Sequence, residues 1–106
     1  MRTGMSWREK AWRKRARELL AVGGVLRGNI SIRRRVCGKA NCHCADGERH
    51  EAMYVVYRAG GQTVQLYVPR AWEGRVRRWV KRYGDMRRLL EKLSAVYEAK
   101  VRRRRE

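Results

Sequence analysis

The sequence predicts a small α+β, zinc-stabilised domain with an N-terminal helix, a three-stranded antiparallel sheet carrying a metal loop, and a long C-terminal helix with a heptad seam. Three observations lead there. Apolar residues recur at helical spacing over 5–22 and again after Pro69. Between these stretches lie β-rich runs, two of them separated by Ala59-Gly60-Gly61-Gln62, a hairpin turn signal. All three cysteines and both histidines fall between Cys37 and His50. A chain of 106 residues suits a single domain over 1–106. So short a chain buries a limited share of its surface, and a structural metal is one way to offset that.

The first helix is expected over 5–22. Met5, Trp12 and Leu19 recur every seventh residue, with Ala16 and Leu20 on the same side. Ser6 is the expected N-cap, Glu9 completes a capping box, and Gly23-Gly24 ends the helix. The sheet and its metal loop are expected over 29–68. A strand over 29–36 places Ile30 and Ile32 on one side and Ser31, Arg33 and Arg35 on the other. Strands over 53–58 and 63–68 follow. In the second, Val64, Leu66 and Val68 oppose Thr63, Gln65 and Tyr67. Pro69 is expected at the first position of a helix over 69–101. There Trp72, Val76, Trp79, Tyr83, Met86, Leu90, Leu93 and Tyr97 alternate in steps of four and three, a repeat of about 3.5 residues that marks a packing seam. The repeat runs through Gly84-Asp85 without a stutter, so one continuous helix is expected, followed by a basic tail over 102–106.

The metal loop offers Cys37, Cys42, Cys44 and His50 as ligands, in a C-x4-C-x-C-x5-H arrangement. Thiolate and imidazole donors collected in so short a piece of chain suit a tetrahedral zinc. Four protein ligands leave no open position, so one structural Zn2+ is expected. Gly38 and Gly47 permit tight turns, and Lys39 and Arg49 offset thiolate charge. His43 is the rival fourth ligand, but it is wedged between two cysteines, whereas His50 has chain enough to loop back. An iron–sulfur cluster with one His ligand is the other metal reading. Without a metal, Cys37 and Cys42 are ordinary small residues and His50 a strand-edge imidazole.

The run Cys37-Gly38-Lys39-x-x-Cys42-x-Cys44-Ala45-x-Gly47-x-x-His50, followed by an aromatic strand, Gly60-Gly61 and Tyr67-Val68-Pro69, resembles an uncharacterised family of small prokaryotic proteins, a domain of unknown function. The resemblance covers roughly residues 30–97. It implies a CGKxxCxC…H motif, a β-hairpin and a following helix, and no established activity. Glu51-Ala52 departs from the Gly-Pro pair that follows the histidine elsewhere in that family.

Charge sets the partner class. Basic residues number 28 and acidic residues 10, a formal charge of +18. Self-repulsion on this scale disfavours a compact state unless a polyanion neutralises it, and nucleic acid is the expected partner. Most of the cations are arginines, which fork onto phosphates and stack on bases. The expected contacts are Arg33, Arg34 and Arg35 in the first strand, Lys39 and Arg49 in the loop, and Arg58 in the hairpin. Arg75, Arg78 and Arg82 in the long helix, and Arg102, Arg103, Arg104 and Arg105 in the tail, complete the set. Tyr57 and Tyr67 beside Arg58 form a candidate stacking platform, while Trp72, Trp79, Tyr83 and Tyr97 are assigned to the seam. RNA, as in a ribonucleoprotein component, and DNA are both open. The alternative is a coiled-coil protein adaptor or dimeric regulator, in which the seam holds a second copy or a protein partner and the zinc is purely structural.

Other classes are disfavoured. No stretch approaches the ~20 apolar residues of a membrane span, and the N-terminus is too basic for a signal peptide. An odd, tightly spaced cysteine set indicates reduced thiols and a cytoplasmic location. The acids are scattered. Glu48 and Glu51 flank His50, but chemistry there requires an open metal position, so no enzyme activity is expected. Gly60-Gly61 is a turn and not a phosphate loop.

Overall fold

The computed structural model describes residues 5–35 and 50–104. In chain order these form α1 (Trp7–Ala21), β1 (Asn29–Arg35), β2 (His50–Ala59), β3 (Gln62–Val68), a 3-10 turn (Arg70–Trp72) and α2 (Glu73–Arg103). The architecture is α+β, with two helices and a three-stranded antiparallel sheet in the order β1-β2-β3. The described residues fall into two compact units: Leu26–Val80, and Met1–Val25 together with Lys81–Glu106.

The unit Leu26–Val80 is built on register. Gly60 and Gly61, with φ of 58° and 77°, supply the left-handed conformations that a two-residue hairpin turn needs. Closing the turn with Ala59↔Gln62 brings Val55 opposite Leu66 and Met53 opposite Val68. On the other side of β2, Ile30 pairs with Val55 and Ile32 with Met53. Met53 and Val55 are fully buried, and Val68 and Val76 nearly so. Val76, on the second turn of α2, packs with them, and Leu26, Ile30, Tyr57, Trp79 and Val80 surround this cluster. The Leu26 N–H donates to the Trp79 carbonyl (3.1 Å), tying the chain ahead of β1 to α2. Just before β1, Gly28 sits at φ 123°, and a Cβ there would lie 2.6 Å from Val55 Cγ1 and 2.9 Å from the Val56 carbonyl oxygen.

The second unit rests on a buried acid. Ser6 caps α1 by accepting from the Glu9 N–H (3.2 Å), as the sequence predicts. The Glu9 carboxylate does not return to Ser6, as the expected capping box requires. It is 1% exposed, and its Oε2 accepts from Arg13 Nε (3.2 Å) and Nη2 (3.1 Å) and from the Tyr97 hydroxyl (2.6 Å). Arg13 Nη2 also donates to Tyr97 Oη (2.8 Å), which closes a triangle between α1 and α2. Lys92 lies over the Trp12 ring, and Arg82 donates to the Gly24 carbonyl. These pairs descend α2 as they ascend α1, so the two helices are antiparallel here. The Tyr97 hydrogen bond, then Arg13, holds the Glu9 carboxyl below its ordinary range.

Three expectations about the helices are corrected. Leu20 is 58% exposed, and the packed side of α1 runs instead through Met5, Glu9, Trp12, Ala16 and Leu19. Leu90 is 58% exposed while Leu89 is buried, so the later turns of α2 pack through Met86, Leu89, Leu93 and Val96. The opening turns of α2 pack on the sheet through Val76, Trp79 and Val80, while its later turns meet α1, so no single repeat describes the packed side of both. The start also differs: Trp72 N–H bonds the Pro69 carbonyl in a 3-10 turn, and α2 begins only at Glu73. The continuity expected through Gly84 is present. The helix also runs on through Arg102 and Arg103, into the expected tail, before Arg104 turns at φ 52°.

Gly28→Ala should destabilise the protein by about 3 kcal/mol, because the methyl meets Val55 and the backbone and the φ is hostile to an L side chain. Urea unfolding checks this. Glu9→Gln tests the buried network. A carboxyl depressed in the fold stabilises it above its ordinary value of 4.5, and that contribution is lost as pH falls through the folded value. The melting temperature of the Gln variant should therefore lie below that of wild type at pH 7, and the gap should close as pH drops below 4.5. Tyr97→Phe should cost about 1 kcal/mol at neutral pH by removing one bond to the acid.

Candidate nucleic-acid interface

Strand alternation that buries Met53 and Val55 sends their neighbours to the opposite side. On that side Tyr54 pairs with Ser31 in β1 and with Tyr67 in β3, and Arg33 and Gln65 occupy flanking positions. The Tyr54 and Tyr67 rings meet edge to face at 5.8 Å. The Arg33 side chain crosses the sheet diagonally. Its guanidinium lies 4.6 Å from the Tyr54 ring centroid, and Nη1 donates to Gln65 Oε1 on the far strand (2.6 Å). Tyr67 is 56% exposed and Tyr54 half-buried. At the hairpin end Arg58 donates to Thr63 Oγ1 (3.2 Å) and to the Gly61 carbonyl (2.8 Å). Among the described residues of this face there is no carboxylate. Arg33 and Arg58 are held by neutral groups and keep their charge available to solvent.

The other predicted contacts scatter. Arg34 points to the core side, where its Nε pairs with Glu51 Oε1 (2.8 Å) beside a cleft that also contains Arg70, Glu73 and Arg77. Arg75 lies 4.4 Å over Trp72, which meets Trp79 edge to face, and Arg78 is exposed on the same helix. Arg82 is half-buried and serves the chain after α1. Arg102 bonds Glu98 (3.2 Å), Arg103 ends the helix, and Arg104 turns just beyond it. Tyr57 does not share a face with Tyr67: it pairs with Val64 on the core side, and Arg27 lies over its ring at 4.3 Å.

The expected zinc ligands Cys37, Cys42 and Cys44, with His43, Lys39, Arg49 and Arg105, lie outside the described residues. His50 opens β2 opposite Arg35, the last pair of the β1–β2 ladder. Among the described residues no three His, Cys, Asp or Glu side chains stand together as a metal site, and no helix is long and apolar enough to cross a membrane.

Residues 8–78, well over half of the chain, match a family described as a domain of unknown function, DUF6788. The chain belongs to this family. The matched span takes in most of α1, the whole sheet and the opening turns of α2. The DUF6788 description states no activity. No curated protein and no solved structure matches the chain.

Sequence reasoning missed the grouping of Arg33, Tyr54, Gln65 and Tyr67. The signal was present. A two-residue turn at Gly60-Gly61 makes paired residues sum to a constant, and that arithmetic sets Tyr54 opposite Tyr67 and moves Tyr57 to the other face.

Proposed function

We propose that this protein binds nucleic acid through phosphate contacts and carries a structural zinc in the loop between β1 and β2. The observation that carries the reading is the open sheet face, where Arg33 and Arg58 share a side with the exposed Tyr67 and half-buried Tyr54, without a carboxylate among the described residues. In a chain of formal charge +18, such a face attracts a polyanion strongly. The role is binding without catalysis. RNA and DNA share the phosphate chemistry and are both admitted.

The zinc rests on donor chemistry. Cys37, Cys42, Cys44 and His50 would hold the ion as a closed tetrahedral set that contributes folding energy and no reactive position. Support comes from the ladder. Arg35↔His50 pairing sets the two ends of the loop side by side. Reduced cysteines of this kind suit the cytoplasm.

Two outcomes are expected. If six or so cations contact phosphates, the logarithm of affinity for duplex DNA should fall with the logarithm of salt with a slope of about −5, and less steeply for single strands. Each Arg→Ala change at Arg33, Arg58, Arg75 or Arg78 should lower the slope by roughly one, measured by fluorescence anisotropy. Absence of binding to RNA and DNA at low salt would refute the reading. For the metal, elemental analysis of protein purified without chelator should find stoichiometric zinc. Replacing Cys37, Cys42 or Cys44 by Ser should remove it and lower the melting temperature, and His50→Ala should release far more zinc than His43→Ala.

A further inference from the structure

We infer that the open sheet face receives unpaired bases, so that the ligand is single-stranded nucleic acid, with Tyr67 as the primary stacking surface and the Arg33 guanidinium as a second plane. This rests on the nucleic-acid reading and narrows it to a substrate class.

The argument starts from what each side chain has left to offer. Tyr67 meets Tyr54 edge to face, a contact that covers at most one face of the Tyr67 ring, and the residue is 56% exposed. An exposed aromatic on an antiparallel sheet is a surface on which any base can stack. Tyr54 is different: Arg33 lies on its ring at 4.6 Å. That arrangement extends the aromatic plane into a cationic one. A guanidinium is planar and has two faces, and guanidinium planes stack on bases as aromatic rings do. Gln65 fixes it. By accepting from Arg33 Nη1 at 2.6 Å, the amide oxygen holds the long side chain across the sheet and leaves the amide N–H groups for a base edge. Ordering Arg33 before binding removes part of the entropy cost of stacking on it.

The same face does not suit a duplex. Bases in a double helix are stacked on each other, and their planes are closed to a tyrosine ring. Phosphate contacts alone would treat the two forms according to charge density, whereas a stacking surface discriminates in favour of splayed bases. The absence of a carboxylate among the described residues of the face removes the group that would repel the backbone between bases. Tyr67 belongs to the outer register of β3 and contributes nothing to the buried cluster of Met53, Val55, Val68 and Val76, so it can be changed without opening the core.

The test compares labelled oligothymidine and oligouridine of about a dozen nucleotides, an abasic single strand of equal length, and a duplex of equal length. Wild type should bind each base-bearing strand about tenfold more tightly than the abasic strand, at matched phosphate number. Tyr67→Leu keeps bulk and strand propensity but lacks a π face, and it should reduce that preference to near unity with duplex affinity unchanged. Tyr67→Trp should retain or raise it. Gln65→Ala, which frees Arg33, should lower it in part. If thymidine and uridine strands bind equally, base stacking without 2′-hydroxyl contacts is the mechanism. Equal wild-type binding to abasic and base-bearing strands would overturn the inference. So would a Tyr67→Leu variant that keeps the full preference. In both cases phosphate binding itself stands. Failure to bind any of the four probes would instead overturn the nucleic-acid reading beneath it.

Discussion

Burial of Met53 and Val55 is the constraint on which the rest of the sheet depends. Both are fully buried on the central strand, and both are paired on either side by residues of β1 and β3. Side chains alternate strictly along a strand, so a slip of one residue would turn the whole apolar set outward. Once these two residues are fixed inward, nothing remains free. Tyr54 must face out, Tyr67 must stand opposite it, and Arg33 must lie on the same side. The ladder must also end with Arg35 against His50. Gly28 reinforces the choice from outside the ladder, because the chain passes so close to Val55 and Val56 that no side chain fits there. The candidate interface is thus the reverse side of the core, specified by the same residues.

Charge imposes a second constraint. Ten acids must stabilise a chain with 28 cations, and their placement decides which surface stays electropositive. Glu9 is taken inside and meets Arg13 and Tyr97. Asp85 receives Lys81 and Arg88, and its carboxyl is held below the usual range chiefly by the Lys81 hydrogen bond. Glu98 takes Arg102, and Glu51 takes Arg34 on the core side of the sheet. These acids serve helices or the core-facing side, where they offset cations that packing or helix geometry brings together. The exposed pairs among them add little net stability. Their importance lies in location: by standing elsewhere, they leave no carboxylate among the described residues of the outer face of the sheet.

Much of this was legible before any coordinates. The Gly60-Gly61 turn, the alternation of Val64, Leu66 and Val68, and the continuity of the long helix all follow from local rules that tertiary structure did not override. What escaped was information held between segments. The buried role of Glu9 depends on Tyr97, far along the chain, and an acid three residues after Ser6 reads locally as a capping box. The switch from Leu90 to Leu89 arises because α2 meets the sheet with its opening turns and α1 with its later ones, and a repeat within one segment does not show that its partner changes. Tyr57 adjoins Arg58 in sequence, yet strand parity turns it to the core side, opposite Val64.

Two kinds of recognition meet on the proposed surface, and they respond to different variables. Phosphate neutralisation scales with the number of cations and weakens with salt. Stacking depends on ring faces and on bases free to leave their own stack, and it is insensitive to which base is offered. Arg33 belongs to both classes. On this proposal its charge would oppose a phosphate, while its guanidinium lies over the Tyr54 ring and is held by Gln65. Lysine at this position would retain the first property and lose the second, since an ammonium group has no face to stack. The prevalence of arginine over lysine in this chain therefore bears on mechanism as well as on net charge. At Arg33 the choice of guanidinium unites the electrostatic and stacking contributions in one side chain, at the place where the register of the sheet already presents two tyrosines.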